Sequence, residues 1–194
     1  MGAFRPLEAR SVRWRPLQGV GLEYLTLAPE NGAIVARAVT IGTFEGKPFG
    51  ARYKVVCDAN WTFRELKLDA VNGVTLCLSS DGHGHWTDAH GQQLSGFETC
   101  IDIDLGGSPF TNTLPIRRLD LDQGDGPMEL SMLYVPFDTF EPFVDGQRYS
   151  CLQSRRRYRY EAVDGAFVGE LVVDEDGLVL DFPPLFTRVR GSAE

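Results

Sequence analysis

The chain has 194 residues, of which 43% are hydrophobic and 24% charged, so it can form one domain with a substantial core without disulfides or a structural metal. Its net charge of −8 at pH 7 argues against general attraction to nucleic acid or to an anionic membrane. No apolar run approaches the length that spans a bilayer, and the N-terminal residues lack the apolar segment of a secretory signal. We therefore expect a cytoplasmic protein with no stable membrane insertion.

The first half of the chain has the pattern of successive short strands. Stretches rich in β-branched residues, or with alternating apolar side chains, are separated by residues that favour turns. Asn72-Gly73 is a strong signal for a two-residue hairpin. The strands predicted here are 23–27, 33–44, 49–57, 64–70, 74–78 and 85–87.

The second half continues this pattern and adds a helix candidate. Residues 101–105 and 119–122 alternate apolar and acidic side chains, which predicts strands whose aspartates face solvent. Residues 111–119 and 59–68 are the best helix candidates, and both are short. The further predicted strands are 129–135, 147–161, 167–174 and 178–182. About a dozen strands at this spacing predict one all-β domain, spanning 1–194, with the form of a barrel, roll or sandwich.

The residues that could carry chemistry form no familiar catalytic, cofactor or metal motif. The four cysteines lie far apart without a Cys-x-x-Cys spacing, so we expect unpaired thiols that act as small buried hydrophobic groups. His83 and His85 flank a glycine in turn-forming sequence, and His90 is the third and last histidine, so we assign no metal site. Residues 81–86 are not followed by a helix and are not a dinucleotide fingerprint. We assign no cofactor and no catalytic residue.

The connection after residues 101–105 is the first candidate binding segment. Gly106-Gly107-Ser108-Pro109 breaks the preceding strand, because Gly admits positive φ and Pro has no N–H to donate. Asn112 and its threonine neighbours supply short polar groups, and Arg117 and Arg118 follow as two guanidinium groups. The segment is either a well-capped corner or a site for an anion or hydroxyl groups. Because adjacent residues cannot face one way in a strand, we expect one arginine to be structural and the other to face a ligand.

A second candidate lies near the end of the strand 147–161. Tyr158 and Tyr160 share one face of that strand, and Arg157 and Arg159 share the other. The tyrosines could be core and the arginines a solvated surface. Alternatively, the two sets could bind the tail and the anionic head group of an amphipathic ligand.

Several blocks of the sequence resemble the bacterial Putative glycolipid-binding family, formerly a domain of unknown function. The central block, PFTNTLPIRRL at 109–119, is the most specific of them. One departure is Gly106-Gly107, where we expect Ser or Thr nearer to Pro109 in the family. The other matching blocks are VTIG at 39–42, RY at 52–53, DGHGHW at 81–86, CIDID at 100–104, QRY at 147–149 and YRYE at 158–161.

The resemblance implies a single curled antiparallel sheet that forms a spiral roll or half-open barrel, likened to lipoprotein-carrier proteins, with one or two short helices. On this basis we favour a non-enzymatic binding protein for an amphipathic, anionic lipid or glycolipid held on the concave face of the sheet. The expected ligand contacts are Asn112, Arg117, Arg118, Arg157, Arg159, Tyr158, Tyr160 and Trp86.

Two other functions stay open. The first is an enzyme acting on a small sugar- or lipid-linked substrate, with Asp102 or Asp104, Arg117 and one of the histidines as its catalytic groups. Two carboxyls across a pocket, one with a strongly raised pKa, would favour it. The second is an interaction module that presents one face of a large sheet to a partner. A solid, filled interior would favour that function.

Overall fold

The computed structural model describes residues 4–190, and the strands of that range form one sheet. In chain order they are β1 (Arg10–Pro16), β2 (Leu22–Glu30), β3 (Ala33–Phe44), β4 (Lys47–Cys57), β5 (Phe63–Ala70), β6 (Thr75–Ser80), β7 (Trp86–Thr87), β8 (Gln93–Leu94), β9 (Cys100–Leu105), β10 (Met128–Val135), β11 (Phe143–Gln153), β12 (Arg157–Ala162), β13 (Val168–Val173), β14 (Val179–Phe182) and β15 (Phe186–Arg188). A 3-10 turn (Phe110–Asn112) leads into one short helix, α1 (Thr113–Leu119).

The sheet is a continuous ribbon that runs from β8 at one edge to β9 at the other. Its order is β8-β7-β6-β5-β4-β3-β2-β1-β15-β14-β13-β12-β11-β10-β9. Neighbouring strands pair antiparallel, except that β9 and β10 pair parallel. Because the two edge strands are not hydrogen-bonded to each other, the sheet curls without closing into a barrel. The predicted all-β fold, a single curled sheet with little helix, is confirmed.

The segment from Phe110 to Leu119 lies inside the curl and joins two apolar clusters. Phe110 and Leu114 are fully buried in the larger cluster, which is built mainly from β1–β6 and β9. Ile116 belongs to the smaller one, which gathers side chains from β11–β14. Burying each such side chain contributes about 1.5–3 kcal/mol, so the internal segment contributes to the stability of a sheet whose two edges are not paired with each other.

Three predicted elements are wrong. The predicted strand 147–161 is two antiparallel strands, β11 and β12, joined by a turn at 154–156. Residues 119–122 are not a strand, because Leu119 ends α1 and Asp120 takes a left-handed conformation with φ 43° as its cap. Residues 59–68 are not a helix. The Asp58 carboxylate accepts the N–H groups of Asn60 and Thr62 in a tight turn, and the extended strand β5 begins directly afterwards.

The aspartates of β9 were expected to face solvent, and this expectation is wrong. Asp102 is 1% exposed and Asp104 is 9% exposed. The internal segment covers this face of β9 and supplies polar partners. Arg118 donates two hydrogen bonds to Asp102, with Nε–Oδ1 at 3.1 Å and Nη2–Oδ2 at 2.5 Å. A buried carboxylate is tolerated when it is paired in this way.

The remaining chemically distinctive residues lie apart from one another. All four cysteines are free, and Cys57, Cys100 and Cys151 are buried. His83, His85 and His90 are exposed, and His85 Nδ1 lies 2.9 Å from Asp81 Oδ2. Within residues 4–190, no group of three or more His, Cys, Asp or Glu side chains has metal-site geometry. In the same range, no helix is both long and apolar enough to cross a membrane.

Candidate functional site

A cavity of about 590 Å³ opens at the end of the roll where β1 ends and β2 begins. Its wall also includes the β3–β4 turn, the Gly106-Gly107-Ser108 segment after β9, the start of β11, the end of β12 and the β14–β15 turn. The cavity is therefore formed by the curled sheet as a whole, and not by one pair of neighbouring strands. Strands distant in sequence contribute to it because their ends meet at one end of the roll.

Aromatic side chains make up much of the wall. Tyr160, Phe167 and Phe182 pack against one another with ring centroids 5.7 Å apart, while Trp14 and Tyr134 also line the cavity. The phenylalanines that line it are Phe44, Phe49, Phe143, Phe167, Phe182 and Phe186. Such rings provide large apolar area at low conformational cost.

The border of the cavity includes exposed apolar side chains. Phe143 at the start of β11 is 49% exposed, and Leu185 in the β14–β15 turn is 39% exposed, yet both line the cavity. Phe143 also packs against Tyr134 with ring centroids 5.2 Å apart. Apolar surface therefore continues from the interior wall to the solvent at the mouth.

The charged side chains of the wall are all acidic. They are Glu23, Glu45, Asp104, Asp145 and Asp164, and no arginine or lysine among residues 4–190 lines the cavity. Carboxylates repel anions and accept hydrogen bonds from hydroxyl groups. The wall therefore suits a neutral, hydroxylated group better than a carboxylate, sulfate or phosphate.

Glu23 is the most unusual of these acids. It lies on β2, is 3% exposed, and its Oε1 accepts hydrogen bonds from the Tyr53 hydroxyl and from Ser108 Oγ at 2.9 Å. Its Oε2 has no hydrogen-bond partner among the described residues. Burial raises the pKa of the Glu23 carboxyl from 4.5 to about 7, although the hydrogen bonds from Tyr53 and Ser108 act in the opposite direction.

Asp104 is also buried in the wall, but both of its oxygens are used. Oδ1 accepts the Thr111 hydroxyl at 2.7 Å, and Oδ2 accepts Gln147 Nε2 at 2.8 Å. Burial is the main cause that raises the pKa of Asp104, and the charge of Asp145 adds to it. This carboxyl is a fully bonded member of the protein's own network.

Gly106 and Gly107 are required by close packing at the cavity wall. A Cβ at Gly106 would lie 2.3 Å from the Tyr134 hydroxyl oxygen, and one at Gly107 would lie 2.3 Å from the Phe137 ring. Real Cβ atoms essentially never approach that closely. The two glycines thus allow the segment that carries Ser108 to lie against the rings of β10 and of the loop after it.

Of the predicted ligand contacts, Asn112 and Tyr160 line the cavity. Asn112 Oδ1 accepts the Tyr149 hydroxyl at 2.8 Å. Tyr158 is fully buried in the smaller apolar cluster. Trp86 is fully buried in the larger one, where its Nε1 donates to the Cys100 carbonyl at 2.8 Å.

The four predicted arginines lie elsewhere. Arg157 pairs with Glu170, and Arg159 Nη2 lies 3.2 Å from Glu161 Oε1, both on the exposed face of β12. The β12 arginines are therefore separated by the sheet from Tyr160.

Arg117 and Arg118 line a second, smaller cavity of about 240 Å³. Arg118 is paired with Asp102 there. The Arg117 guanidinium lies over the rings of Phe4 and Trp61, at 4.9 and 4.8 Å from their centroids, and donates to the Arg5 carbonyl. The enzyme hypothesis required Arg117 and a histidine beside Asp102 or Asp104, but neither Arg117 nor any of the three histidines is among the cavity-lining residues.

Sequence reasoning missed Glu23, Tyr53 and Ser108. A signal for Glu23 was present, because residues 23–27 alternate and Glu23 shares its face with Leu25 and Leu27, which are 0% and 1% exposed. An acidic residue on the inward face of an apolar strand marks a buried carboxyl. Its partners on β4 and after β9 are 30 and 85 residues away, so no local pattern could identify them.

Comparison with known proteins gives two matches. Residues 11–188 match the family described as Putative glycolipid-binding. The fold is similar to the crystal structure of a DUF1089 family protein from Pseudomonas aeruginosa, with 38% sequence identity and a TM-score of 0.76. That similarity covers 86% of this chain and 92% of the other. No curated protein matches the chain.

Proposed function

The chain belongs to the Putative glycolipid-binding family, and from that premise we propose that it is a non-enzymatic carrier of a single-tailed or small amphipathic lipid with an uncharged sugar or polyol head group. The observation that carries the proposal is the cavity, whose aromatic wall continues to an apolar mouth. Its volume of about 590 Å³ lies within the range of about 300–1,000 Å³ typical of small-molecule sites.

The tail is assigned to the aromatic part of the wall. Tyr160, Phe167 and Phe182 form a packed set of rings that presents an apolar surface to the interior. Removing apolar surface from water contributes about 25 cal/mol per Å², so a hydrocarbon chain gains most of its affinity there. Phe143, at the mouth, would cover the part of the tail nearest the solvent.

The head group is assigned by the charge of the wall. The arginines in the sequence favoured an anionic lipid, but the cavity is lined by carboxyls and by polar groups such as Asn112. Hydroxyl groups can donate to carboxylates and accept from amides. An uncharged, hydroxyl-rich head group is therefore the better chemical match.

The test is displacement of a fluorescent fatty-acyl probe by dodecyl β-maltoside, dodecyl sulfate and dodecyltrimethylammonium, each below its micelle concentration. We expect dodecyl β-maltoside to displace the probe at the lowest concentration of the three. Phe143→Asp should weaken that displacement by roughly tenfold or more, because it places a charge where the tail leaves the cavity. Val144→Asp is the matched control, since Val144 is the next residue of β11, is 42% exposed and does not line the cavity.

The second candidate is a glycoside hydrolase, because two buried carboxyls with raised pKa, Glu23 and Asp104, line the cavity. In such a reaction one carboxyl protonates the leaving oxygen and the other takes a proton from water. However, both oxygens of Asp104 already accept hydrogen bonds from the protein, so only one free carboxyl oxygen of this pair is available. Release of reducing sugar from dodecyl β-maltoside, abolished by Glu23→Gln, would favour the hydrolase.

A further inference from the structure

Glu23, Tyr53 and Ser108 form a cluster of three side-chain oxygens in the cavity wall. Tyr53 Oη and Ser108 Oγ lie 3.0 Å apart, and both contact Glu23 Oε1. The three residues come from β2, β4 and the connection after β9, and each is at most 3% exposed. We call these residues the Glu23 cluster.

The hydrogen bonds within the Glu23 cluster leave one oxygen atom of Glu23 without a partner among the described residues. Ser108 Oγ accepts the Phe110 N–H at 3.1 Å and donates to Glu23 Oε1. The Tyr53 hydroxyl also donates to Oε1. Glu23 Oε2 therefore stays without a partner in the described protein, although Glu23 lines the cavity. A buried polar atom without a partner is costly and calls for an explanation, and a ligand group in the cavity that Glu23 lines would supply that partner.

The side chains that flank Glu23 in the sheet are uncharged. Opposite it in the sheet are Trp14 of β1 and Thr40 of β3, while Tyr53 of β4 contacts it directly. The Arg188 guanidinium of β15 lies over the Trp14 ring, 5.4 Å from its centroid, and is paired with Asp174.

The other charged residues in this wall are also acidic. The carboxyls of Glu45, Asp104, Asp145 and Asp164 share the same cavity. Burial raises the pKa of Glu23 to about 7 and raises that of Tyr53 well above 10. Below neutral pH, the carboxyl thus holds a proton that no described residue accepts.

We propose that the Glu23 cluster is the head-group subsite of the cavity, and that Glu23 donates a hydrogen bond from Oε2 to a hydroxyl or ring oxygen of an uncharged sugar. This deepens the proposed carrier function and rests on it. The subsite selects neutral head groups because the carboxyls of the cavity wall would repel an anionic head group. Its affinity depends on pH because the ionised carboxylate can no longer donate.

The experiment measures binding of dodecyl β-maltoside by probe displacement between pH 5.5 and 8.5, with 1-dodecanol as the tail that lacks a sugar. Loss of one hydrogen bond corresponds to about 0.5–1.5 kcal/mol, so the maltoside should bind roughly 3- to 10-fold more weakly at pH 8.5. Dodecanol should bind with nearly constant affinity. This series uses the unaltered protein and does not depend on the folding of any variant.

Two variants sharpen the test. Glu23→Gln retains an oxygen that accepts from Tyr53 and Ser108 and places an N–H₂ where Oε2 was. It should bind the maltoside at every pH as the parent does at pH 5.5. Asp145→Asn is the matched control, because Asp145 also lines the cavity but lies outside the Glu23 cluster; it should keep the pH dependence of the parent.

Each contrary outcome has a distinct meaning. If the maltoside binds with the same affinity at all pH values in the parent and in Glu23→Gln, the subsite is overturned and the carrier function stands. If only dodecyltrimethylammonium gains affinity as the pH rises, Glu23 binds a cation and the subsite is likewise overturned. If no amphiphile displaces the probe, the carrier function fails and the subsite fails with it.

Discussion

Asp102 and Glu23 are both acids on the inner face of the sheet, and they are buried to a similar extent, but their surroundings differ. Asp102 meets a guanidinium, and both of its oxygens accept hydrogen bonds from Arg118. Glu23 accepts hydrogen bonds only from the hydroxyl groups of Tyr53 and Ser108, and its Oε2 has no partner among the described residues. The first arrangement holds two parts of the chain together. The second leaves a polar group beside an open cavity, which is the arrangement expected of a binding site.

The largest effect should come from breaking the Asp102 pair. Arg118→Met leaves a carboxyl that is 1% exposed without its partner, which costs about 3–5 kcal/mol for a buried pair. We expect the lower part of that range, because the Arg118 side chain is 20% exposed. Urea melts measure it. Arg157→Met is the control, because the exposed Arg157–Glu170 pair contributes about 0–1 kcal/mol.

Above neutral pH, replacing Glu23 should raise the free energy of unfolding, whereas Arg118→Met should lower it. Its pKa is 4.5 in the unfolded chain and about 7 in the folded protein, so the folded state binds the proton more tightly. The associated stability is complete below pH 4.5 and is lost as the pH rises to about 7, which amounts to at most about 3 kcal/mol.

Because Gln does not titrate, Glu23→Gln should match the parent at pH 4 and unfold at a higher urea concentration at pH 8. Asp102 and Asp104 titrate in both proteins, so the difference between the two melts isolates Glu23. Equal stabilities at pH 8 would mean that the Glu23 carboxyl is ionised in the fold without cost.

The segment after β9, which leads from Asp102 to Ser108 of the Glu23 cluster, can be tested through its glycines. Gly107→Ala would place a Cβ 2.3 Å from the Phe137 ring, and such overpacking costs about 1–3 kcal/mol. The same shift should move Ser108 away from Glu23 and weaken maltoside binding. Gly124→Ala is the control, because a Cβ there meets nothing within 4 Å. A Gly107→Ala protein with the melt and affinity of the parent would contradict the described packing.

The smallest effect is expected for Arg117→Met. The guanidinium lies over Phe4 and Trp61, and each such contact contributes about 0.5–1 kcal/mol when partly exposed. Arg117 does not line the large cavity, so maltoside affinity should stay within about twofold of the parent, well inside the 1.4 kcal/mol that a tenfold change requires. A tenfold loss of dodecyl sulfate binding would instead support the anionic head group expected from the sequence.

The fold could largely be predicted from the sequence because its signals are local. Alternation along a strand and turn residues such as Asn72-Gly73 depend on near neighbours, and most predicted strands are present. The errors arose where tertiary packing overrode the pattern. The Asp-rich strand at 101–105 looks half-exposed, but a segment that follows it covers its polar face and supplies Arg118.

The candidate site was less predictable because its parts are brought together only by the curl of the sheet. Tyr160 and Asn112 could be named from composition and motif. The Glu23 cluster joins residues up to 85 positions apart. The periodicity of the sequence cannot indicate a contact between residues so far apart. The arginines of β12 drew attention as charges, yet strand alternation places them on the outer face, opposite to Tyr160.

The most direct test of the carrier function is native mass spectrometry of the protein purified from its own host. The carrier function predicts one discrete added mass per chain, released on denaturation as an uncharged glycolipid or polyol lipid. The added mass should persist in Val144→Asp and be lost or reduced in Phe143→Asp. A parent protein that carries no added mass, and takes none up from an extract of its host's lipids, would contradict the carrier function.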